Sequence, residues 1–254
     1  MGQDTLTAEM MDQLAQEITS KEQYKQLKED RNLDFSYVLG DENRFRVNFF
    51  YQMDGLSAVF RIIPVKILSI DDLNLPPVIK TFTEIQRGLV LVTGVTGSGK
   101  STTLAAILDK INRETKKHII TVEDPIEFVH KDRGCLINQR AIGQDAHSFS
   151  DALRAALRED PDIILVGEMR DLETIDIALH AANTGHLVFS TLHTLDAKET
   201  IDRIVGMFSN EEQNRIRMSL ASVLEGVISH RPVSYTHLTL PTMLAQCRSR
   251  WWAG

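Results

Sequence analysis

Gly88-Leu89-Val90-Leu91-Val92-Thr93-Gly94-Val95-Thr96-Gly97-Ser98-Gly99-Lys100-Ser101-Thr102-Thr103-Leu104 decides the fold. Six residues with no polar alternation read as a strand covered on both faces, and the glycine-rich turn after them leads into a helical pattern with Leu104, Ile107, Leu108 and Ile111 on one side. Between the two, Gly94 to Ser101 matches G-x-x-x-x-G-K-[ST], the phosphate-cradling loop, in the strand-to-helix context that the loop requires. Glycines let successive backbone N–H groups turn inward around phosphate oxygens, and the start of the helix adds the positive end of its dipole. The expected nucleotide contacts are Gly94, Thr96, Gly97, Ser98, Gly99, Lys100, Ser101 and Thr102. Lys100 is expected to reach the β and γ phosphates of ATP, and the Ser101 hydroxyl to ligate Mg²⁺.

Outward from that loop, the grammar repeats. His118-Ile119-Ile120-Thr121-Val122, Asp162-Ile163-Ile164-Leu165-Val166 and Leu187-Val188-Phe189-Ser190 are further short apolar runs. They alternate with helical stretches carrying Leu153, Ala156 and Leu157, then Leu172, Ile175 and Leu179, the latter stopped by Gly185. A last helix carrying Ile201, Ile204, Val205 and Phe208 is announced by the capping-box pattern Asp196-x-x-Glu199. Strands alternating with helices predict an α/β domain around a parallel sheet.

Upstream the period is different. Thr7 is an expected N-cap, and Met10, Met11, Leu14 and Ile18 recur at helical spacing. From Asp34 the period falls to two: Phe35, Tyr37 and Leu39, a turn at Gly40-Asp41-Glu42-Asn43, then Phe45, Val47 and Phe49 alternating with Arg44, Arg46 and Asn48. Asp54-Gly55 signals a second turn before Ala58 to Ile63, so a small antiparallel sheet with helices is expected. Leu75-Pro76-Pro77 reads as a linker, which puts the boundaries at 1–78 for the first domain and linker and 79–231 for the second. The segment 232–254 has no acidic residue and no persistent period. It carries Ser234-Tyr235-Thr236-His237-Leu238-Thr239-Leu240-Pro241-Thr242, which reads as a translated adapter or frameshift scar and not as native sequence.

Composition narrows the chemistry. Among 254 residues, 28 Lys plus Arg face 35 Asp plus Glu, and a net charge of −7 opposes a nucleic-acid partner. Cys135 and Cys247 stand far apart with no C-x-x-C, against a disulfide framework or a structural zinc, and a reducing, cytoplasmic setting is expected. No apolar run approaches the roughly 20 residues needed to cross a bilayer, so membrane association is expected only through a partner.

Ile163 to Val166 ends at Gly167-Glu168, which in a parallel sheet places Glu168 at the carboxyl edge beside the loop, able to hold or deprotonate a water; the plain alternative is a strand-end acid paired with Arg170. Gly167 stands where many such sites carry a metal-orienting Asp. Glu123, which follows the strand 118–122 and exits at the same edge, is the natural replacement, unless Glu123-Asp124-Pro125 is only a turn. His193 follows the strand 187–191 at that edge, with a role in sensing phosphate or relaying a proton, and His186 precedes the same strand.

Three stretches carry a resemblance: Arg158 to Asp171, Thr121 to His130, and Thr184 to Thr194. Beside the phosphate loop and in this order they are similar to the Walker B, Asp-box and His-box motifs of the secretion and pilus traffic ATPases, and within them to the PilT-type retraction motors of type IV pili, over residues 32 to 231. The resemblance implies a partial PAS-like α+β domain joined to a RecA-like ATPase domain, in a cytoplasmic homohexamer that hydrolyses ATP with Mg²⁺. Such a motor drives pilus retraction and twitching motility through an inner-membrane platform protein. It further implies Glu168 as the catalytic glutamate, Glu123 as the acid near Mg²⁺, His186 and His193 as the His-box residues, and Arg44, Arg46 and Arg61 as arginines that reach the nucleotide. A type II secretion or pilus-extension ATPase, or a nucleotide-binding ring subunit without turnover, are the alternatives; the absence of a tetracysteine site favours retraction. The family's first strands, and its C-terminal helices with an Ala-Ile-Arg-Ala-Gly segment, have no counterpart here.

Overall fold

The computed structural model describes residues 7–40, 43–63 and 66–231. The unusual segment 232–254 lies outside the described residues. Contacts divide the chain between Lys66 and Ile67 into two compact units.

In the first unit, helices α1 (Ala8–Ile18) and α2 (Lys21–Asp30) precede three antiparallel strands, β1 (Asn32–Leu39), β2 (Asn43–Gln52) and β3 (Gly55–Ile63), in the order β1-β2-β3. The Thr7 hydroxyl accepts from the Met10 N–H, the cap expected from the sequence, and Ser20 with Gln23 closes a capping box at α2. Leu33, Phe35, Val47, Phe49 and Leu56 alternate onto one face and bury against Met11, Ala15 and Leu27 of the helices. The unit fits the partial PAS-like domain expected.

The second unit is a six-stranded sheet, every neighbouring pair parallel, in the order β6-β5-β7-β8-β4-β9. Its strands are β4 (Gly88–Gly94), β5 (His118–Glu123), β6 (Leu136–Ala141), β7 (Ile163–Val166), β8 (Leu187–Leu192) and β9 (Leu224–His230). Helices α3 (Lys100–Glu114), α4 (Phe149–Ala156), α5 (Leu172–Asn183), α6 (Ala197–Gly206) and α7 (Gln213–Val223) connect them. Val90 and Val92 face a core shared with Leu104, Ile107, Leu108 and Ile111 of α3, whereas Leu89 and Leu91 face one shared with α5, α6 and α7. Sandwiched this way, β4, β7 and β8 are buried at every position, which is why their sequences lack alternation.

The linker expectation needs correction. Residues from Ile67 onward belong to the second unit, and Pro77–Thr83 is a 3-10 helix whose Ile79 and Phe82, with Ile70, are buried in the α3-side core. Two prolines suggested a spacer, but three large apolar side chains around them are worth roughly 1.5–3 kcal/mol each on burial and dock the segment.

Candidate functional site

A parallel sheet brings all its strand ends to one rim, and here the carboxyl ends of β4, β5, β7 and β8 gather the candidates. The loop 95–99 closes over that rim, with Gly97 and Gly99 at positive φ, 77° and 93°, where a side chain would be strained. Gly99 caps α3 without any side-chain bond, whereas α4, α5 and α6 are capped by Ser148, Asp171 and Asp196. The first-turn N–H groups of α3 are therefore left for an anion.

Lys100 is buried, and its Nζ donates to Gly94 O at 2.9 Å and Val95 O at 3.1 Å, folded back along its own loop. Burial pushes its pKa down, and the charges of Glu168 and Glu127 oppose the shift. The same Nζ lies 3.5 Å from His193 Nδ1, and His193 Nε2 lies 3.5 Å from Glu168 Oε2. Glu168 Oε2 also accepts from Arg170 Nη2 at 2.7 Å. Arg170, Glu168, His193 and Lys100 thus form one chain across the mouth of the loop. Glu168 is paired with Arg170 on one side and, through His193, stands next to the loop lysine on the other. Two hydroxyls of β8 fix the strand that presents Glu168: Ser190 Oγ donates to Val166 O at 2.8 Å and Thr191 Oγ1 to Gly167 O at 2.6 Å.

Glu123 sits one strand away. A small cavity of ≈ 30 Å³ is lined by Ser101 and Glu123 together with Phe128, His130, Gly167 and Thr191. Burial raises the Glu123 pKa, opposed by hydrogen bonds from Thr121, the Glu127 amide and Gln139. A β carbon at Gly167 would come 3.2 Å from Glu123 Cα and 3.2 Å from Val122 O, and Gly167 N donates to Val122 O at 2.7 Å. A residue without a side chain at 167 is therefore what lets the end of β5, with Glu123, pack this closely.

This donor set fits both groups that the sequence implies. Backbone N–H groups and a buried lysine suit a triphosphate. A hydroxyl and two carboxylates are hard oxygen donors, too few for an all-protein cage and sufficient for Mg²⁺ that shares phosphate oxygens and water. Ser98 Oγ, His130 Nδ1 and His230 Nε2 are buried around this rim without a hydrogen-bond partner among the described residues.

His186 is not brought to this cluster. It precedes β8 at the opposite, amino rim, roughly 20 Å along the strand from His193, where its backbone O accepts from Gly88 N and its Nδ1 donates to Ala181 O at 3.0 Å. Arg44, Arg46 and Arg61 belong to the first unit. Arg46 and Arg61 are register partners; Arg46 is bonded to Asp34 through Nε and Nη2, Arg61 is exposed, and Arg44 Nε is buried without a partner among the described residues.

Sequence reasoning missed three contributors. Arg170 entered only as a surface partner of Glu168. Gln139 lies on the edge strand β6, whose half-polar pattern gave no apolar run. His230 ends β9 against the loop, its Cβ 3.0 Å from where a β carbon on Gly94 would sit; the run Val227-Ile228 was the available signal.

A model of the type II/IV secretion system protein family matches residues 8–239. The chain is 56% identical over 216 residues to the type IV pilus retractation ATPase PilT of Pseudomonas aeruginosa, covering 85% of this chain and 63% of that protein. It is 50% identical over 224 residues to a twitching motility protein of Neisseria gonorrhoeae, covering 88% of this chain and 60% of the relative. Among solved structures, the pilus retraction motor PilT with bound ADP matches with a TM-score of 0.84 at 50% identity, over 86% of this chain and 64% of that one. The chain therefore spans somewhat under two thirds of the length of these relatives.

Proposed function

Because the chain belongs to the type II/IV secretion system protein family, we propose that it binds ATP at the carboxyl rim of its second unit and hydrolyses it to ADP and phosphate. The observation that carries this reading is the chain of contacts from Arg170 through Glu168 and His193 to Lys100 at the mouth of the phosphate loop.

Lys100 exchanges its two loop carbonyls for the β and γ phosphate oxygens, and the amides of residues 97 and 99–102 take the rest of the negative charge. Ser101 and Glu123 would hold Mg²⁺, which when bound neutralises charge on the β and γ oxygens. Glu168 orients the attacking water and draws its proton. Arg170 holds the carboxylate in place from one side, and His193 relays between Glu168 and the loop lysine from the other. Arg44, Arg46 and Arg61 are proposed to reach the nucleotide in an assembled homohexamer, a contribution worth about a thousandfold to a hundred-thousandfold in rate. The bond between Arg46 and Asp34 would then open when the arginine engages.

By similarity to the retraction motor, the work of turnover is proposed to be pilus retraction and twitching motility, in the cytoplasm and against an inner-membrane platform protein. No helix among the described residues is long and apolar enough to cross a membrane. Phosphate release from the purified chain tests the enzymatic part. A Mg²⁺-dependent rate is expected for the parent and none for Lys100→Ala; equal rates in both would overturn it, and ATP binding without turnover would leave a nucleotide-binding ring subunit.

A further inference from the structure

Gln139 uses every polar atom of its side chain on the metal side of the site. Its Nε2 donates to Glu123 Oε1 at 3.2 Å and to Phe128 O at 2.8 Å, and its Oε1 accepts from His130 N at 2.8 Å. The amide cannot be turned over: with oxygen and nitrogen exchanged, the oxygen would face two acceptors and the NH₂ group would face the His130 N–H. Register explains the reach. Gln139 is paired with Thr121 across β5 and β6, so it projects on the same face as Thr121 and Glu123.

The first half of the loop that leaves β5, through residue 130, is tied by this arrangement, whereas Asn112 holds residues 131, 133, 134 and 135. Glu123 Oε1 also accepts from Thr121 Oγ1 at 2.7 Å, and its Oε2 accepts from the Glu127 amide at 3.3 Å. Gln139 therefore ties the carboxylate, the carbonyl of 128 and the amide of 130 into one block, and the carboxylate in turn holds the amide of 127. Without it, the remaining side-chain restraint on Glu123 is the Thr121 hydroxyl on its own strand. A carboxylate as buried as this one keeps a single orientation only while its donors persist.

We propose that Gln139 is a positioning residue for hydrolysis: it presets the Glu123 carboxylate and the 127–130 segment toward the cavity shared with Ser101. The proposal rests on the reading of Glu123 as the acid on the metal side of an ATP site. Residues that hold a metal-side carboxylate in this way typically matter about 10- to 100-fold when removed.

Two variants separate the clamp from mere packing. Gln139→Ala loses all three bonds. Gln139→Glu keeps the volume and an acceptor for the His130 amide, but loses both donated bonds and sets a second carboxyl against Glu123. The readouts are amide hydrogen exchange at 127 and 130, kcat and KM for ATP hydrolysis, and ATP affinity without Mg²⁺.

Gln139→Ala is expected to lose protection at both amides, and Gln139→Glu at 127 but not at 130, because only the amide at 127 is held through Glu123. Both variants are expected to lower kcat about 10- to 100-fold while metal-free ATP affinity stays within about twofold, the phosphate loop being untouched. Unchanged protection at 127 in a folded Gln139→Glu chain would overturn the clamp. Lost protection with parental kcat would overturn its bearing on hydrolysis. A parent chain that shows no turnover contradicts the functional reading instead, and the exchange at 127 still judges the clamp by itself.

Discussion

At the amino rim of the six-stranded sheet, His118, Asp162 and His186 are consumed by the backbone around them. Asp162 Oδ2 accepts from His118 N at 2.8 Å, His118 Nδ1 contacts Glu159 O at 3.1 Å and Nε2 contacts Asn138 Oδ1 at 2.8 Å, and His186 donates to Ala181 O. At the carboxyl rim the same residue types behave differently: His193 and Glu168 face each other and the lysine of a loop whose helix start carries no cap, and Glu123 lines a cavity with Ser101 of that helix. The polar side chains left without partners there, Ser98, His130 and His230, have no counterparts at the amino rim among the described residues. Histidines and carboxylates at strand ends are thus not chemical by composition. What separates the rims is whether the backbone leaves donors and acceptors unspent, and in a parallel sheet that happens where the strand-to-helix turns gather.

The largest effect should distinguish the rims by rate. Glu168→Gln is expected to lower phosphate release about 100- to 10,000-fold with ATP binding retained, whereas His118→Ala at the other rim should leave the rate within about twofold. A comparable loss from the amino-rim variant would erase the distinction.

Stability against pH should distinguish them next. Burial lowers the His130 pKa from 6.5 to about 4. The unfolded chain therefore takes up a proton near pH 6.5 that the folded chain refuses until about pH 4, so this group makes the protein progressively less stable as pH falls through that window. The loss amounts to at most about 3 kcal/mol. Urea unfolding at pH 5 and pH 7 should show a smaller acid loss in His130→Gln than in the parent; identical losses would place the sensitivity elsewhere.

Gly167→Ala comes third. The added β carbon meets Glu123 Cα and Val122 O, both 3.2 Å away and both backbone, so the variant should cost about 1–3 kcal/mol in denaturant unfolding. It should also lower turnover by displacing Glu123. The smallest effect belongs to the amino rim: Asp162→Ala gives up one bond to the His118 amide, about 0.5–1.5 kcal/mol, with no change in rate.

How much of this was legible follows from the same physics. Strands buried on both faces announce themselves, so the apolar runs that became β4, β5, β7 and β8 were readable, and the glycine loop fixed which rim mattered. The half-exposed edge strand β6 gave no such signal, and Gln139 was lost with it. β9 follows α7 without an intervening turn, so its run merged with the helix and His230 was not placed. His186 was attached to the site through the motif that surrounds it, although a residue preceding a strand must emerge at the rim opposite to one that follows it. The docked segment at Ile70, Ile79 and Phe82 was hidden by the prolines between them. Partners formed across strands, such as Gln139 with Glu123, leave no spacing to read.

A crystal structure of the chain with Mg²⁺ and a non-hydrolysable ATP analogue would test most directly whether the carboxyl rim is built for phosphate cleavage. The expected result is the γ-phosphate on Lys100 and the amides of 97 and 99–102, with a water held between it and the Glu168 carboxylate. A nucleotide seated elsewhere, or a Glu168 side chain turned away from the γ-phosphate, would contradict it.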